Sequence, residues 1–306
     1  MKIAVTGASG YIGSFLLQKL VQSGASVRAL IRQRVPDFFE GELRSEVEWI
    51  TGDLANAESL DRLVSGCTGV VHLAYNHVPG KYRGGEGSDP VEYWNTNFGS
   101  TISLIEASRS HGLERVVLLS SRAVFDGVIA EGSPITDSTT PRPTNHYGLL
   151  KYASEGLMNL FDDTVICALR PTGVFGMRRP IEKSKWFELV NSSTVANDPL
   201  DRFSNDGHTE VHGTDVAEAI RLLLGSPVDL VIGRSFNCSD VVVSERFLVQ
   251  LTRAIQTGEP MDLGKLEPPK PAQGVMNSDR LKDLGWKPSG VERLVQTIRL
   301  LVDCAR

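Results

Sequence analysis

Lys2-Ile3-Ala4-Val5-Thr6-Gly7-Ala8-Ser9-Gly10-Tyr11-Ile12-Gly13 decides the fold of this 306-residue chain. A short apolar strand runs straight into glycines at 7, 10 and 13. From Tyr11 to Ser23, residues Ile12, Phe15, Leu16, Leu20 and Val21 fall near one face of a helix that Gly24 terminates. Strand, glycine turn and helix in that order open a βαβ unit. Gly7 suits the tight turn, Gly10 lets backbone approach a pyrophosphate, and Gly13 lets helix and strand pack closely. The unpaired N–H groups and positive dipole end of the helix then hold the anion. Three glycines alone are a weak signal, but directly after a first strand they become a dinucleotide fingerprint.

The rhythm continues outward. Further strands are expected at 27–31, 47–51, 70–74, 115–121 and 164–169. Helices are expected at 57–64, where Asn56 can cap, at 94–111 and at 145–161. The strands read as solid apolar runs, such as Val116-Val117-Leu118-Leu119, which suits a parallel sheet covered on both faces. After Arg170 the pattern weakens. Residues 176–210 read as loops with one helix near 185–191, and helices follow at 214–224, 244–256 and 291–303, with a proline-rich link at 268–271. The expected class is α/β: a Rossmann-type doubly wound parallel sheet with a smaller C-terminal substrate-binding lobe. Residues 1–169 form the dinucleotide-binding domain, which also receives parts of about 207–243. Residues 170–306 form most of the smaller lobe, interleaved with the first.

Composition narrows the partners. Lys plus Arg number 32 against 37 Asp plus Glu, a net charge of −5 that gives no electrostatic reason to expect nucleic acid or an anionic membrane. No run approaches the roughly 18 apolar residues of a membrane span. The N-terminus reaches the glycine loop at once, without the long apolar stretch of a signal peptide. Cys67, Cys167, Cys238 and Cys304 show no metal-ligand spacing and read as reduced thiols of a cytoplasmic protein. The six histidines likewise show no ligand spacing, so no metal is expected.

An acidic residue at the end of the second strand would bind the adenosine ribose diol. Here Leu30-Ile31-Arg32 supplies none, and Arg32 can pair with a 2′-phosphate. NADP(H) is therefore favoured, with NAD(H) as the alternative. Asp53, before Leu54, can accept from the adenine amino group, although such an Asp also serves as a turn or cap residue. Tyr147 and Lys151 stand at i and i+4 on one helical face just after the fifth strand, whose carboxyl end carries Ser121. In an open parallel sheet that end faces the ligand crevice.

With these residues in place the chain resembles the short-chain dehydrogenase/reductase superfamily, in its extended NAD(P)-dependent epimerase/dehydratase branch. The resemblance rests on the glycine loop, Gly52-Asp53-Leu54, His72-Leu73-Ala74, Asn95-Thr96-Asn97, Ser120-Ser121, Tyr147 to Lys151 and Leu169-Arg170-Pro171. Later echoes are the stretch from Val211 to Val216, Phe236-Asn237 and Leu284-Gly285-Trp286-Lys287-Pro288. It implies that Tyr147 is the general acid/base. A free phenol has a pKa of about 10, so Lys151 must lower it. It implies too that Lys151 binds the nicotinamide ribose, that Ser121 orients the reacting oxygen, and that Leu73, Ala74 and Pro171 line the cofactor.

Departures from the family pattern narrow the reaction. Arg122 and Ala123 stand where 4,6-dehydratases carry an acidic pair. Gly173 and His208 stand where nucleotide-sugar epimerases place an Asn and an Arg toward the diphosphate. Arg178, Arg179 or Lys183 could substitute for those diphosphate ligands, but they read rather as solvated loop charges. The reading is an NAD(P)-dependent oxidoreductase moving hydride to or from a carbonyl or secondary alcohol of a small carbonyl compound or sugar derivative. The alternative is a nucleotide-sugar 4-epimerase, and behind both stands a non-catalytic NADP(H)-binding regulator. The resemblance implies a homodimer through helices 94–111 and 145–161, with Ile102, Leu104, Ile105, Leu149, Leu150, Leu157 and Met158 as apolar surface. His146 could touch substrate. The glycine-rich insert 77–90, with Gly80, Gly84, Gly85 and Gly87, reads as a mobile loop near the substrate, flanked by Tyr75, Asn76, Tyr82 and Arg83.

Overall fold

A computed structural model describes residues 1–78, 81, 84–129, 134–195, 198–258, 262–272 and 274–305. Ten strands are present among them: β1 (Lys2–Thr6), β2 (Ser26–Ile31), β3 (Val47–Thr51), β4 (Gly69–His72), β5 (Arg115–Leu119), β6 (Val165–Pro171), β7 (Gly173–Phe175), β8 (His208–His212), β9 (Ser235–Cys238) and β10 (Val241–Val243). Seven of these make one sheet in the order β3-β2-β1-β4-β5-β6-β9, with every pairing parallel. This is the doubly wound sheet expected from the sequence. The winding reverses between β1 and β4, and a crevice opens at such a switch point outside the strand ends.

Both sheet faces are covered. On one, Leu16, Leu17 and Leu20 of helix Tyr11–Gln22 meet Val216, Ile220 and Leu223 of helix Gly213–Gly225 in a single core. On the other, Leu60 and Leu63 of helix Ala57–Val64 pack with Leu104, Ile105, Leu157 and Met158. Asn56 caps Ala57–Val64 by accepting from the Ser59 N–H at 2.8 Å. Five of the apolar residues assigned above to a dimer face, Leu104, Ile105, Leu150, Leu157 and Met158, are buried inside the chain. Ile102, Leu149 and Tyr152 remain exposed on those helices.

The long helix expected at 94–111 is interrupted. Helix Pro90–Trp94 passes through a π turn, Asn95–Gly99, into helix Ser100–Ser110. Asn95-Thr96-Asn97 are weak helix formers, and such turns recur at functional sites. The segment 176–210, expected as loops around one helix, ends in the first three residues of β8. With β7 and β10 this strand forms a second sheet ordered β10-β8-β7. Three-residue strands leave little periodicity to read. Beside this sheet, helices Phe187–Val195, Glu245–Thr257 and Gly290–Ala305 close a separate core around Phe175, Leu248 and Ile298.

Among the described residues no helix is long and apolar enough to cross a membrane, and no cluster of His, Cys, Asp and Glu could hold a metal. Cys67, Cys167 and Cys238 are buried free thiols and Cys304 is exposed.

Candidate active site

The glycine loop is shaped by contacts that only glycine allows. Gly7 has φ +68°, and a Cβ there would meet Ala74 N at 2.6 Å. A Cβ on Gly13 would lie 2.5 Å from Gly7 O, so the first turn of helix Tyr11–Gln22 sits directly on the loop. Gly10 is its N-cap, no side chain caps it, and its first turn holds no acid. The first-turn N–H groups and the positive dipole end are therefore not neutralised by the chain itself.

A cavity of about 510 Å³ opens above this loop. Gly7, Gly10, Tyr11, Ile12 and Gly13 line it together with Arg32, Asp53 and Leu54 and with Leu73, Ala74, Tyr147 and Lys151. It falls in the size range of ligand pockets. The Asp53 carboxylate accepts from the Ala55 N–H at 2.8 Å. Pro171 and Ser121 are not among the residues lining the cavity. Pro171 ends β6 against Cys238, and Ser121 caps the short turn Arg122–Phe125, accepting from the Ala123 N–H at 3.1 Å. That turn and the helix carrying Tyr147 are pressed together: a Cβ on Gly148 would lie 2.5 Å from Ala123 O. The glycine after Tyr147 thus brings the elements bearing Ser121 and Tyr147 side by side.

Helix His146–Gly156 is capped by Asn145, whose Oδ1 accepts from the Gly148 N–H at 2.9 Å and whose Nδ2 donates to Asp126 at 2.7 Å. His146 accepts from the Trp94 indole at 3.1 Å. Tyr147 and Lys151 are both buried. The Lys151 ammonium donates to Leu119 O at 2.8 Å. Burial pulls its pKa down to about 8, against the charge of Glu155 one turn further on. Glu155 is itself held by Arg170 at 2.8 and 2.5 Å, by Ser120 and by Ser235 at 3.0 Å. Arg170 therefore belongs to a buried ion pair under the helix, away from the cavity.

Tyr75 and Asn76, expected above only as neighbours of a loop near the substrate, line the cavity themselves. Tyr75 lies with its ring centroid 5.0 Å from that of Tyr147, and the Lys151 ammonium is 5.4 Å from the Tyr75 ring centre. Behind them runs a hydrogen-bonded chain. Thr6 Oγ1 accepts from the Ala74 N–H at 3.3 Å, so its proton goes to His72 Nδ1 at 2.7 Å. His72 Nε2 then donates to Thr101 Oγ1 at 3.1 Å, and Thr101 donates to Asn97 O at 2.8 Å. This order requires neutral His72, and burial pushes its pKa down to about 3, with Lys151 adding to the effect. Asn97, in the π turn, pairs with the backbone of Asn76, accepting its N–H at 2.7 Å and donating to its O at 2.9 Å. The strand-end segment from Ala74 to Asn76 is pinned at both ends. Of the insert residues named above, Gly80, Tyr82 and Arg83 lie outside the described residues.

At the second sheet Gly173 pairs with Glu210. A Cβ on Gly173 would lie 2.5 Å from one carboxylate oxygen of Glu210 and closer still to the other. Glu210 is buried and takes the Lys185 ammonium at 2.6 and 2.5 Å. Burial raises its pKa, and Lys185 opposes the rise. Arg179 is exposed and paired with Glu40 at 3.3 Å. Arg178, expected above as a solvated charge, is instead partly buried and lines the cavity.

A parallel switch-point sheet, a glycine loop against an uncapped helix and a buried Tyr–Lys pair lining the same cavity define a Rossmann-type fold with its cleft at the strand ends. A family model described as the NAD dependent epimerase/dehydratase family matches residues 3–239, and the chain belongs to this family. It is 25% identical to a UDP-glucose 4-epimerase of Lacticaseibacillus casei, over 97% of this chain and 95% of that protein. A UDP-glucose 4-epimerase of Streptomyces lividans is 31% identical over 161 residues, 51% of this chain and 46% of that protein, so that match spans about half of the relative's length. The fold matches a UDP-glucuronic acid 4-epimerase of Bacillus cereus in complex with UDP-glucuronic acid and NAD. The TM-score is 0.76 and the identity 23%, with all of both chains covered.

Proposed function

We propose that this chain is an NAD(H)-using enzyme of the 4-epimerase type, which oxidises a secondary hydroxyl of a nucleotide-sugar substrate and returns the hydride to the same carbon. This turns the reductase expectation toward its alternative, because the relatives named above are 4-epimerases. The observation that carries it is the meeting of Tyr147, Lys151 and the glycine loop around one cavity.

The cavity fits a dinucleotide. The glycines leave no Cβ over the anion seat, and the uncapped helix start offers its N–H groups there. Gly7, Gly10 and Gly13 would hold the pyrophosphate, Asp53 and Arg32 the adenosine end, and Leu73, Ala74 and Lys151 the nicotinamide end. When bound, the nicotinamide accepts and returns hydride. Tyr147 takes the proton of the substrate hydroxyl and gives it back. The Lys151 ammonium, fixed by Leu119 O, lowers the cost of the phenolate. Ser121 does not line the cavity, and its hydroxyl accepts from the Ala123 N–H, so the role of orienting the reacting oxygen is not assigned to it. Tyr75 packs its ring against both Tyr147 and Lys151.

The test is conversion of UDP-glucose to UDP-galactose by the purified protein, with Tyr147→Phe as the control. Turnover should fall by about 10²–10⁴ in the variant. Full activity in Tyr147→Phe, or no isomer formed beside net consumption of NADPH with ketones, would refute it. Arg32 in the cavity wall, with no acid beside it at the end of β2, favours a second reading in which the same pair reduces a carbonyl with NADP(H). A lower KM for NADP⁺ than for NAD⁺, reversed in Arg32→Ala, would support that reading.

A further inference from the structure

We propose that Arg178 is a cofactor-holding residue, carried from the second lobe across the cleft to close over the pyrophosphate seat and slow release of the dinucleotide. The inference rests on the reading that this cleft takes a dinucleotide. Arg178 follows β7, yet its Nη2 donates to Ser9 O in the glycine loop at 3.2 Å, 169 residues earlier in the chain. Its guanidinium lies 5.9 Å from the ring centre of Tyr11 and 5.7 Å from that of Phe38. It shares the cavity wall with Gly7, Gly10 and Gly13.

The approach is built rather than incidental. The Arg178 N–H donates to Ser184 Oγ at 2.8 Å, and the same hydroxyl donates back to Arg178 O at 3.1 Å, pinching the loop that presents it. Tyr11 OH donates to Gly176 O at 2.7 Å and ties the base of that loop to the first helix. The Arg178 Nε–H is buried and finds no hydrogen-bond partner among the described residues. A buried donor left unmet is costly, and an arginine stays charged even when burial opposes it. An unmet charged donor beside an uncapped helix start calls for an anion lying between them. The dinucleotide pyrophosphate carries two negative charges and belongs at that seat. Arg178 would then clamp from above what the glycine loop cradles from below, so the cofactor leaves only when the two lobes part. A retained cofactor suits an enzyme that returns its hydride to the same substrate.

The experiment measures NAD⁺ affinity by titration calorimetry and NAD⁺ release by stopped flow. The proteins compared are the wild type, Arg178→Met and Arg178→Lys, with adenosine as a ligand lacking phosphate. Arg178→Met should bind NAD⁺ about 10–100-fold more weakly, mostly through faster release, while Arg178→Lys recovers part of the loss and all three bind adenosine alike. Unchanged NAD⁺ affinity and release in Arg178→Met would overturn the proposal. So would an equal loss for adenosine, which would mark Arg178 as a structural residue. A wild-type protein that binds no dinucleotide would instead overturn the reading of the cleft itself, and the proposal with it.

Discussion

Gly173→Ala should be destabilising for a reason found in its neighbour rather than in its own backbone. Gly173 is not among the residues with positive φ, so alanine fits the local conformation and by itself would stabilise slightly. The new Cβ, however, would press on the carboxylate of Glu210, 2.5 Å or less away. Glu210 can yield only by leaving Lys185, and at 8% side-chain exposure it finds no water in exchange. Breaking a buried ion pair costs roughly 3–5 kcal/mol. Lys185 is 33% exposed and rehydrates, which trims the expected loss to about 2–3 kcal/mol. Glu210→Ala vacates the space, so Gly173→Ala on that background should be close to neutral. A double-mutant cycle by urea denaturation therefore predicts a coupling of about 2–3 kcal/mol between the two positions. If the two substitutions add within about 0.5 kcal/mol, the carboxylate is not what keeps position 173 bare.

Other outcomes follow from the same cleft. His72 is neutral with a pKa near 3, so the unfolded chain binds its proton first as pH falls below about 6.5. Between pH 7 and 5 this should remove about 2 kcal/mol of stability, and denaturation of His72→Gln should lack that share of the loss. Lys151 has the opposite sense: its pKa near 8 lies below that of the unfolded chain, so its burden is greatest below pH 8 and is relieved as pH rises toward 10.5. Lys151→Met should therefore gain about 1–3 kcal/mol at pH 7, converging on wild type by pH 10.5, while losing turnover. Gly13→Ala should weaken NAD⁺ binding at least tenfold by fluorescence titration, since its Cβ must displace loop backbone at Gly7.

What the sequence made legible was local. The glycine loop, the cap at Asn56 and the i, i+4 pair at 147 and 151 are set by neighbours a few residues away, and the parallel strands announce themselves by burial on both faces. The break at Asn95–Gly99 was hidden, because the helical periodicity resumes on its far side. The second sheet was hidden too, since β7 and β10 each have three residues. Arg178 could not be told from its loop neighbours Arg179 and Lys183, for its partner Ser9 is 169 residues distant. Lys185 and Glu210 were silent for the same reason, and Gly173 read as a missing ligand rather than as room left for a carboxylate. The chain from Thr6 through His72 to Asn97 could have been suspected from one signal, a histidine ending an otherwise apolar strand.

The placement of β9 has a practical consequence for anyone wishing to cut or graft this molecule. It hydrogen-bonds along β6, yet it is reached only after the polypeptide has built β7, β8 and the helices Phe187–Val195, Gly213–Gly225 and Val228–Val231. Truncation after residue 171 would strip β6 of its neighbour and leave a long apolar edge, an invitation to aggregate. Exchanging the recognition half between homologues thus cannot be a single splice. It needs at least two junctions, one on either side of the returning strand.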